Sequence, residues 1–279
     1  MMWLAYAIGA YLLGSVPFGL LIGRANGIDI REHGSGNIGA SNLGRVLGKR
    51  FFFLCFSLDL SKGLAPTLLA GSMMGTLGRF SIESHDAWGW LLVMVCAVSG
   101  HLFSPWLGFR GGKGVATALG ALLGMFPAMT APGAGALVVF IVVLALWRYI
   151  SLASCMAAIT LPFWTWFIFS QLQTREMIRW RDHPQWANLP TDELQMAVPY
   201  AGTPFVIVAT VLAGLVIFKH RSNLSRLMHG TEPTIGSADA RVGRDSPPED
   251  SAPGENPSEA GGSGQDDGSE AADGQAPKE

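Results

Sequence analysis

The chain has 279 residues, of which 49% are hydrophobic and only 14% are charged. Soluble domains carry about a quarter charged residues, so this composition argues against an ordinary soluble protein. The net charge of −2 hides two unlike parts: residues 1–232 hold 16 basic and 10 acidic side chains, and residues 233–279 hold 3 and 11. We predict a membrane domain over 1–232 and an acidic tail over 233–279. The tail has too little apolar surface to fold and is expected to stay disordered.

Apolar runs along residues 1–232 suit membrane-spanning helices, each of which needs about 20 residues. No basic residue precedes the first run, and Arg24 follows it, so we expect a retained helix with its N-terminus outside. The predicted spans are 3–23, 51–77, 88–107, 115–131, 134–147, 152–169 and 199–218.

The uncharged segment 115–147 suits either one long tilted helix or two short helices. Pro127, Pro132 and Gly133 favour two short helices joined at the Pro-Gly turn. With seven spans, eleven loop Lys and Arg residues lie on one side and four on the other, which assigns the first side to the cytoplasm. The predicted fold class is an all-α integral membrane protein with about seven transmembrane helices and a cytoplasmic C-terminus. Segment 170–198 is expected to form an interfacial helix outside.

The loop after the first span is dense in glycine and small polar residues. Gly34 and Gly36 permit positive φ, and with Ser35 and Asn37 they predict a nest of N–H groups for an anion. Arg45 can add a bidentate phosphate contact. A merely flexible loop would explain the glycines, but not the Asn, Ser and Arg beside them.

Two further polar segments follow the same pattern. Gly112 and Lys113 precede an apolar helix, whose N-terminus favours anions, although the positive-inside rule alone would explain the lysine. His220 and Asn223 share one helical face, where an interfacial histidine is the alternative to a functional one. Ser151 lies at a turn on the same predicted side.

Two ionisable residues lie inside the second apolar run. Asp59 and Lys62 are one helical turn apart, and such residues usually pair with each other or face a polar cavity. A buried structural pair and a functional pair both remain open from the sequence.

Together these segments resemble the bacterial acyl-phosphate-dependent glycerol-3-phosphate acyltransferases of the PlsY type, over about residues 3–232. Ser41 stands where that family leads us to expect Thr, and segment 170–198 is longer than expected. The matching stretches are GSVPFGLLIGR (14–24), HGSGNIGASNLGR (33–45), DLSKG (59–63), GHLFSPWLGFRGGKGVAT (100–117), RYISLAS (148–154) and HRSNLSRLMHGTE (220–232).

The resemblance implies an enzyme of the bacterial inner membrane with its active site at the cytoplasmic face. It implies transfer of a fatty acyl group from acyl phosphate to the 1-hydroxyl of glycerol 3-phosphate, giving lysophosphatidic acid and phosphate. The implied partners are these substrates, membrane lipids and an enzyme that supplies acyl phosphate, with no cofactor, metal or nucleic acid. The alternative from another class is a membrane transporter of organic phosphates.

By motif, the resemblance assigns Ser35, Arg45, Lys113, Ser151, His220 and Asn223 to the site, and the loop chemistry described above adds Gly34, Gly36, Asn37 and Gly112. Either His220 or a phosphate oxygen of a substrate would take the proton of the attacking hydroxyl. The expected catalytic residues are His220, Asn223, Ser35 and Lys113. The expected phosphate-binding residues are Gly34, Ser35, Gly36, Asn37, Arg45, Gly112, Lys113 and Ser151.

Overall fold

The computed structural model describes residues 1–197 and 201–235, and every regular element within these ranges is helical. Two single turns of 3₁₀-helix, Ile30–Glu32 and Pro105–Leu107, accompany the α-helices. The predicted tail beyond residue 235 lies outside the described residues, so the proposed division at 232/233 stays a prediction. The α-helices of the described residues are α1 (Met2–Gly14), α2 (Phe18–Ala25), α3 (Ala40–Val46), α4 (Lys49–Met73), α5 (Ser84–Leu102), α6 (Val115–Gly124), α7 (Thr130–Trp147), α8 (Ile150–Arg181), α9 (Thr191–Ala197), α10 (Thr203–Lys219) and α11 (Arg221–Met228).

The helices confirm an all-α membrane protein. Within the described ranges, α10 and α11 form a further span if this pair, bent by 56°, crosses the membrane as one. Helix α6 has ten residues, or about 15 Å, which is half of a hydrocarbon core of about 30 Å. The number seven and the orientation therefore stay predictions. Among residues 1–197 and 201–235, the five segments that are long and apolar enough to span a membrane are Met2–Ala25, Lys49–Met73, Ser84–Leu107, Thr130–Trp147 and Ile150–Arg181.

The segment 115–147 does form two helices, but the turn lies earlier than expected. Helix α6 ends at Gly124 and α7 begins at Thr130, so Pro127 stands in the turn while Pro132 lies within α7. Proline is tolerated in the first turn of a helix because the N–H it lacks has no partner there. The Thr130 hydroxyl donates to the Leu122 carbonyl oxygen (3.0 Å) and so caps the end of α6.

Helix α8 is longer than the predicted span 152–169. Its 32 residues extend about 48 Å, and the helix continues to Arg181, into segment 170–198, where we expected a separate interfacial helix. Glu176 and Arg179, three residues apart on this extension, form an ion pair of 3.1 Å on the helix surface. A separate short helix, α9, follows within segment 170–198.

Small residues allow the central helices to pack closely. A Cβ atom on Gly63 of α4 would collide with the Thr117 carbonyl oxygen of α6, so only glycine permits this approach. Close contact through small residues is the usual way in which helices associate in lipid, where no hydrophobic effect drives them together. The indole of Trp90 on α5 donates to the Thr67 carbonyl oxygen of α4 (2.8 Å) and ties these helices to each other.

The chain reaches the same end of the bundle four times. Pairs of helices (α4 with α5, α6 with α7, and α8 with α10) separate four polar segments around residues 26–48, 103–114, 148–150 and 220–235. Because each pair leads away from this end and back, the four segments are neighbours in space although they are far apart in sequence. This end carries the polar motifs.

The topology leads to a labelling prediction. If the polar end faces the cytoplasm, Ser41→Cys and Ser222→Cys will react with an impermeant thiol reagent only after cells are permeabilised. Ser81→Cys, in the loop between α4 and α5, will react in intact cells. Native Cys55 and Cys155 are buried, and replacing all three native cysteines removes the remaining background. Labelling of Ser222→Cys in intact cells would show that the polar end faces outward and would contradict the predicted orientation.

Candidate active site

A buried asparagine builds the first glycine-rich loop. Asn42 accepts a hydrogen bond at Oδ1 from the Ser35 N–H (2.8 Å) and donates through Nδ2 to the His33 carbonyl oxygen (2.9 Å). Gly34 and Gly36 have φ of 59° and 68°, which turns the loop around this amide. The Asn42 side chain therefore fixes the part of the loop that carries the expected phosphate ligands.

The second glycine-rich loop is bonded to the end of α5. The Gly111 N–H donates to the Leu102 carbonyl oxygen and the Gly112 N–H to that of His101, both at 3.1 Å. Gly114, with φ of 80°, then starts α6, and Lys113 stands between these two features. The loop thus holds Lys113 on a short, doubly anchored segment.

Part of the expected nest of N–H groups is bonded within the protein. The N–H groups of Ser35 and Gly36 donate to the Asn42 side chain and to the His33 carbonyl oxygen, and those of Gly111 and Gly112 donate to the end of α5. These four N–H groups are therefore not free to bind an anion, whereas the side chains of Asn37, Lys113 and Arg226 line the pocket.

The third motif lies at the bend between α10 and α11. His220 is buried, and its Nδ1 lies 2.8 Å from the Val216 carbonyl oxygen, so Nδ1 carries the proton and donates. In the neutral ring Nε2 is then the acceptor. Lys219, beside it, donates to the Leu102 carbonyl oxygen (3.2 Å), which links α10 to the end of α5 and the second loop.

A carboxylate joins the motifs. Glu232 accepts hydrogen bonds at Oε1 from Ser151 Oγ (2.8 Å) and Asn223 Nδ2 (2.6 Å). Its Oε2 accepts from Arg226 Nε (2.9 Å). Burial alone would raise the pKa of Glu232, but these bonds and the arginine lower it below its usual value, so the group is an anion. Arg45 lies close enough to interact with it electrostatically.

The three motifs enclose a polar pocket of about 290 Å³. Of the expected site residues, the structure brings six to its wall, and it places Arg45, Ser151 and His220 beside the pocket around Glu232. Gly34 shapes the loop behind the wall. The pocket is lined by Ser35, Gly36, Asn37, Gly111, Gly112, Lys113, Lys219, Arg221, Ser222, Asn223 and Arg226.

Sequence reasoning missed four contributors to this site. Glu232 is the last residue of the third motif. An acidic residue among basic ones gave no reason to expect that it would accept hydrogen bonds from three side chains. Asn42 and Arg226 lie inside the quoted motifs and Lys219 directly before one, and their spacing alone does not reveal their roles at the site. An asparagine that is 1% exposed, as Asn42 is, signals its role only once the fold is known.

Lys113 is a cation with a perturbed pKa. Burial lowers its pKa from 10.5 to about 8; Glu232 opposes this shift, while Arg226 and Arg45 add to it. An anion placed among these three cations would relieve their mutual repulsion. The pocket is therefore suited to bind phosphate, for which a charge-assisted hydrogen bond contributes about 1.5–3 kcal/mol.

An apolar groove of about 180 Å³ begins next to the polar pocket. Val115 in its wall lies two residues after Lys113, Ser154 one turn after Ser151, and Val216 one turn before His220. The groove has almost entirely apolar walls, so it suits a hydrocarbon chain. Its lining comprises Phe56, Val115, Ala118, Leu119, Leu122, Gly133, Ala136, Leu137, Phe140, Ser154, Ala157, Ala158, Leu161, Leu212, Ala213 and Val216.

A helical membrane protein with a cationic pocket beside an apolar groove is the class of protein that this fold and site define. The family described as glycerol-3-phosphate acyltransferase matches residues 4–230. A glycerol-3-phosphate acyltransferase of Trichlorobacter lovleyi is 44% identical over 231 residues, covering 82% of this chain and 94% of that protein. One of Aquifex aeolicus is 37% identical over 228 residues, covering 81% and 95%.

Solved structures agree. The crystal structure of PlsY, an integral membrane glycerol 3-phosphate acyltransferase, in its glycerol 3-phosphate form matches with a TM-score of 0.63 at 32% identity, covering 86% of this chain and 98% of that one. Its lysophosphatidic acid form matches with a TM-score of 0.62 at 31% identity and the same coverage. The protein belongs to the PlsY family of glycerol-3-phosphate acyltransferases.

Removing either expected phosphate-binding cation should impair the enzyme without unfolding it. Lys113→Ala and Arg45→Ala each lose a charge-assisted contact of about 1.5–3 kcal/mol, which corresponds to roughly 10–150-fold in kcat/KM. Arg110→Ala is the matched control, since Arg110 is an exposed cation of the same loop and does not line the pocket. Steady-state kinetics with both substrates at limiting concentration, together with Tm, measure the effect. Parental kcat/KM in either variant would exclude its role.

The lowered pKa of Lys113 predicts a decline in activity at alkaline pH. Above about pH 8 the ammonium loses its proton and its attraction for phosphate. The value of kcat/KM should therefore decrease, with a slope that approaches tenfold per pH unit. Substrate phosphates stay dianionic over this range because their second pKa is about 6. Lys113→Arg keeps its charge at all these pH values and should shift the decline upward. An unchanged profile in Lys113→Arg would assign the decline to another group.

Proposed function

We propose that this protein transfers a fatty acyl group from acyl phosphate to the 1-hydroxyl of glycerol 3-phosphate. The products are lysophosphatidic acid and inorganic phosphate. The observation that carries the proposal is the position of the cationic pocket directly beside the mouth of an apolar groove. Two phosphate groups suit the first, and one fatty acyl chain suits the second.

The related structures support the acceptor and the product. PlsY has been crystallised in glycerol 3-phosphate and lysophosphatidic acid forms, and this chain matches nearly the whole of that protein. The donor rests on the motif resemblance and on the pocket, which has room for a second phosphate. We further propose that the enzyme lies in the bacterial inner membrane, with its pocket at the cytoplasmic face, where an enzyme that makes acyl phosphate would supply the donor.

The proposed reaction is a direct acyl transfer. The hydroxyl oxygen of glycerol 3-phosphate attacks the carbonyl carbon of acyl phosphate, a new C–O bond forms, and the bond from that carbon to the phosphate oxygen breaks. Acyl phosphate is already activated, so the protein acts mainly by positioning both substrates and by stabilising negative charge. We assign the departing phosphate to Lys113 and Arg226, two of the cations that line the pocket.

The hydroxyl proton must leave as the new bond forms. His220 offers Nε2 as an acceptor, but only 2% of this residue is exposed and it lies behind the pocket wall. A phosphate oxygen of the departing group is closer to the reacting hydroxyl in any arrangement that allows transfer. We therefore propose that the phosphate takes the proton, and that His220 and Asn223 position the reactants.

The alternative of an organic-phosphate transporter fits the geometry less well. Such a protein would place its anion-binding groups near the bilayer midplane, between inverted repeats. The pocket of this protein lies at one end of the bundle, among the loops that join the helices. A site at the membrane edge suits one water-soluble substrate and one lipid-soluble substrate.

The test uses purified full-length protein with palmitoyl phosphate and glycerol 3-phosphate. We expect equal amounts of lysophosphatidic acid, measured by mass spectrometry, and released phosphate, with neither formed when glycerol replaces glycerol 3-phosphate. Palmitoyl-CoA should not replace the donor, and Lys113→Ala should reduce both products alike. Acyl transfer from palmitoyl-CoA alone would exclude the proposed donor. Glycerol 3-phosphate uptake by proteoliposomes without acyl product would instead support a transporter.

A further inference from the structure

Three ionisable side chains form a buried cluster inside the helical bundle. Lys62 Nζ lies 2.9 Å from Asp59 Oδ1, and His101 Nδ1 lies 3.6 Å from the same oxygen. Asp59 and Lys62 belong to α4 and His101 to α5, and each is at most 4% exposed. We name these three residues the buried triad. The pair that the sequence left open therefore has a third member, which the sequence did not reveal.

Burial of this cluster is costly. Removing two charges from water costs several kcal/mol per ion, and well-packed apolar residues of similar volume often give equal or greater stability. In a membrane-spanning helix the cost is larger still, and such residues usually serve a function. The location of the buried triad indicates which function.

The imidazole of His101 lies directly beneath the second glycine-rich loop. A Cβ atom on Gly112 would collide with His101 Nε2, and one on Gly111 would collide with the His101 carbonyl oxygen. The Gly112 N–H donates to that same carbonyl oxygen at 3.1 Å. The ring is thus packed between the Asp59 carboxylate on one side and the loop that carries Lys113 on the other.

The other end of the triad is anchored to a different helix. Lys62 Nζ donates to the Val16 carbonyl oxygen (2.9 Å), at the break between α1 and α2, where this carbonyl also accepts the Phe18 N–H (3.1 Å). Lys62 therefore links Asp59 to the break between α1 and α2. In the described part of the protein, His101 Nδ1 is a buried atom without a hydrogen-bond partner, and it faces the carboxylate.

We propose that the buried triad positions the phosphate-binding loop: Lys62 and Asp59 hold the imidazole of His101, and this ring sets the height of Gly112 and Lys113 in the pocket. The proposal deepens the proposed function and rests on it, because Lys113 is taken to bind a substrate phosphate. The triad residues touch no substrate and act only through the loop. They are positioning residues, and a displacement of about 1 Å at such a distance can cost about 100-fold in rate.

The first test removes both charges together. Asp59→Asn/Lys62→Met leaves no unpaired buried ion, so the protein should fold, whereas either single change would strand a charge. We expect kcat/KM to fall about 10- to 100-fold. The loss should affect KM and kcat, for each of the two substrates, in the same proportion as it does in Lys113→Ala. Thr67→Val, two turns along α4 and equally buried, is the control and should retain parental kinetics.

The second test does not depend on the charge variant folding. Gly112→Ala should lose activity because its Cβ strikes the imidazole, and His101→Ala should lose activity because the loop loses its support. The double variant removes the collision, so its kcat/KM should match or exceed that of the less active single variant. A loss equal to the product of the two single losses would mean independent effects and would overturn the proposal.

Two outcomes separate this inference from the proposed function. If the parent protein makes no lysophosphatidic acid from palmitoyl phosphate, the proposed function fails, and the triad loses its assigned role with it. If the parent is active and Asp59→Asn/Lys62→Met folds with parental KM and kcat, the function stands and the positioning role is overturned. A lowered Tm with unchanged kinetics would give the triad a structural role only, which also contradicts the proposal.

Discussion

The Glu232 carboxylate is the interaction on which the rest of the site depends. Its two oxygens accept from Ser151 at the start of α8 and from Asn223 and Arg226 on α11, so one side chain joins two segments about 70 residues apart in sequence. Without an anion at this point, the nearby cations would repel one another in a partly dry environment. With it, the hydroxyl, the amide and the guanidinium each take a defined position before any substrate arrives. Preorganised groups of this kind need little rearrangement during reaction.

A second constraint comes from the membrane. Charges are costly in hydrocarbon, so most of the basic residues collect at one end of the bundle, in the segments that join one helix to the next. Close helix packing then brings these segments together: Gly63 lets α4 approach Thr117 of α6, and Gly112 lets the second loop settle on His101. Glycine is thus required at these two positions because any larger side chain would collide with its neighbour.

The relation between pocket and groove follows from the same arrangement. The polar pocket is formed by helix ends and loops, and the apolar groove continues between the helices below them. A substrate with a charged head and an apolar tail can occupy both without leaving the membrane, while a water-soluble substrate reaches the head-group end. The short helix α6 contributes to both, since Lys113 precedes it and Val115 begins it. The site thus needs no separate domain for either substrate.

The sequence by itself determined the all-helical membrane fold, the break in segment 115–147 and most of the residues around the pocket. These features are local: apolar length, proline and glycine positions, and clusters of polar residues can be read along the chain. The tertiary structure decided which groups face the pocket. It joined Ser151 to Glu232 and placed His101 beside Asp59. Each of these two contacts joins residues distant in sequence, and such pairings are set by how helices pack, which no local pattern records.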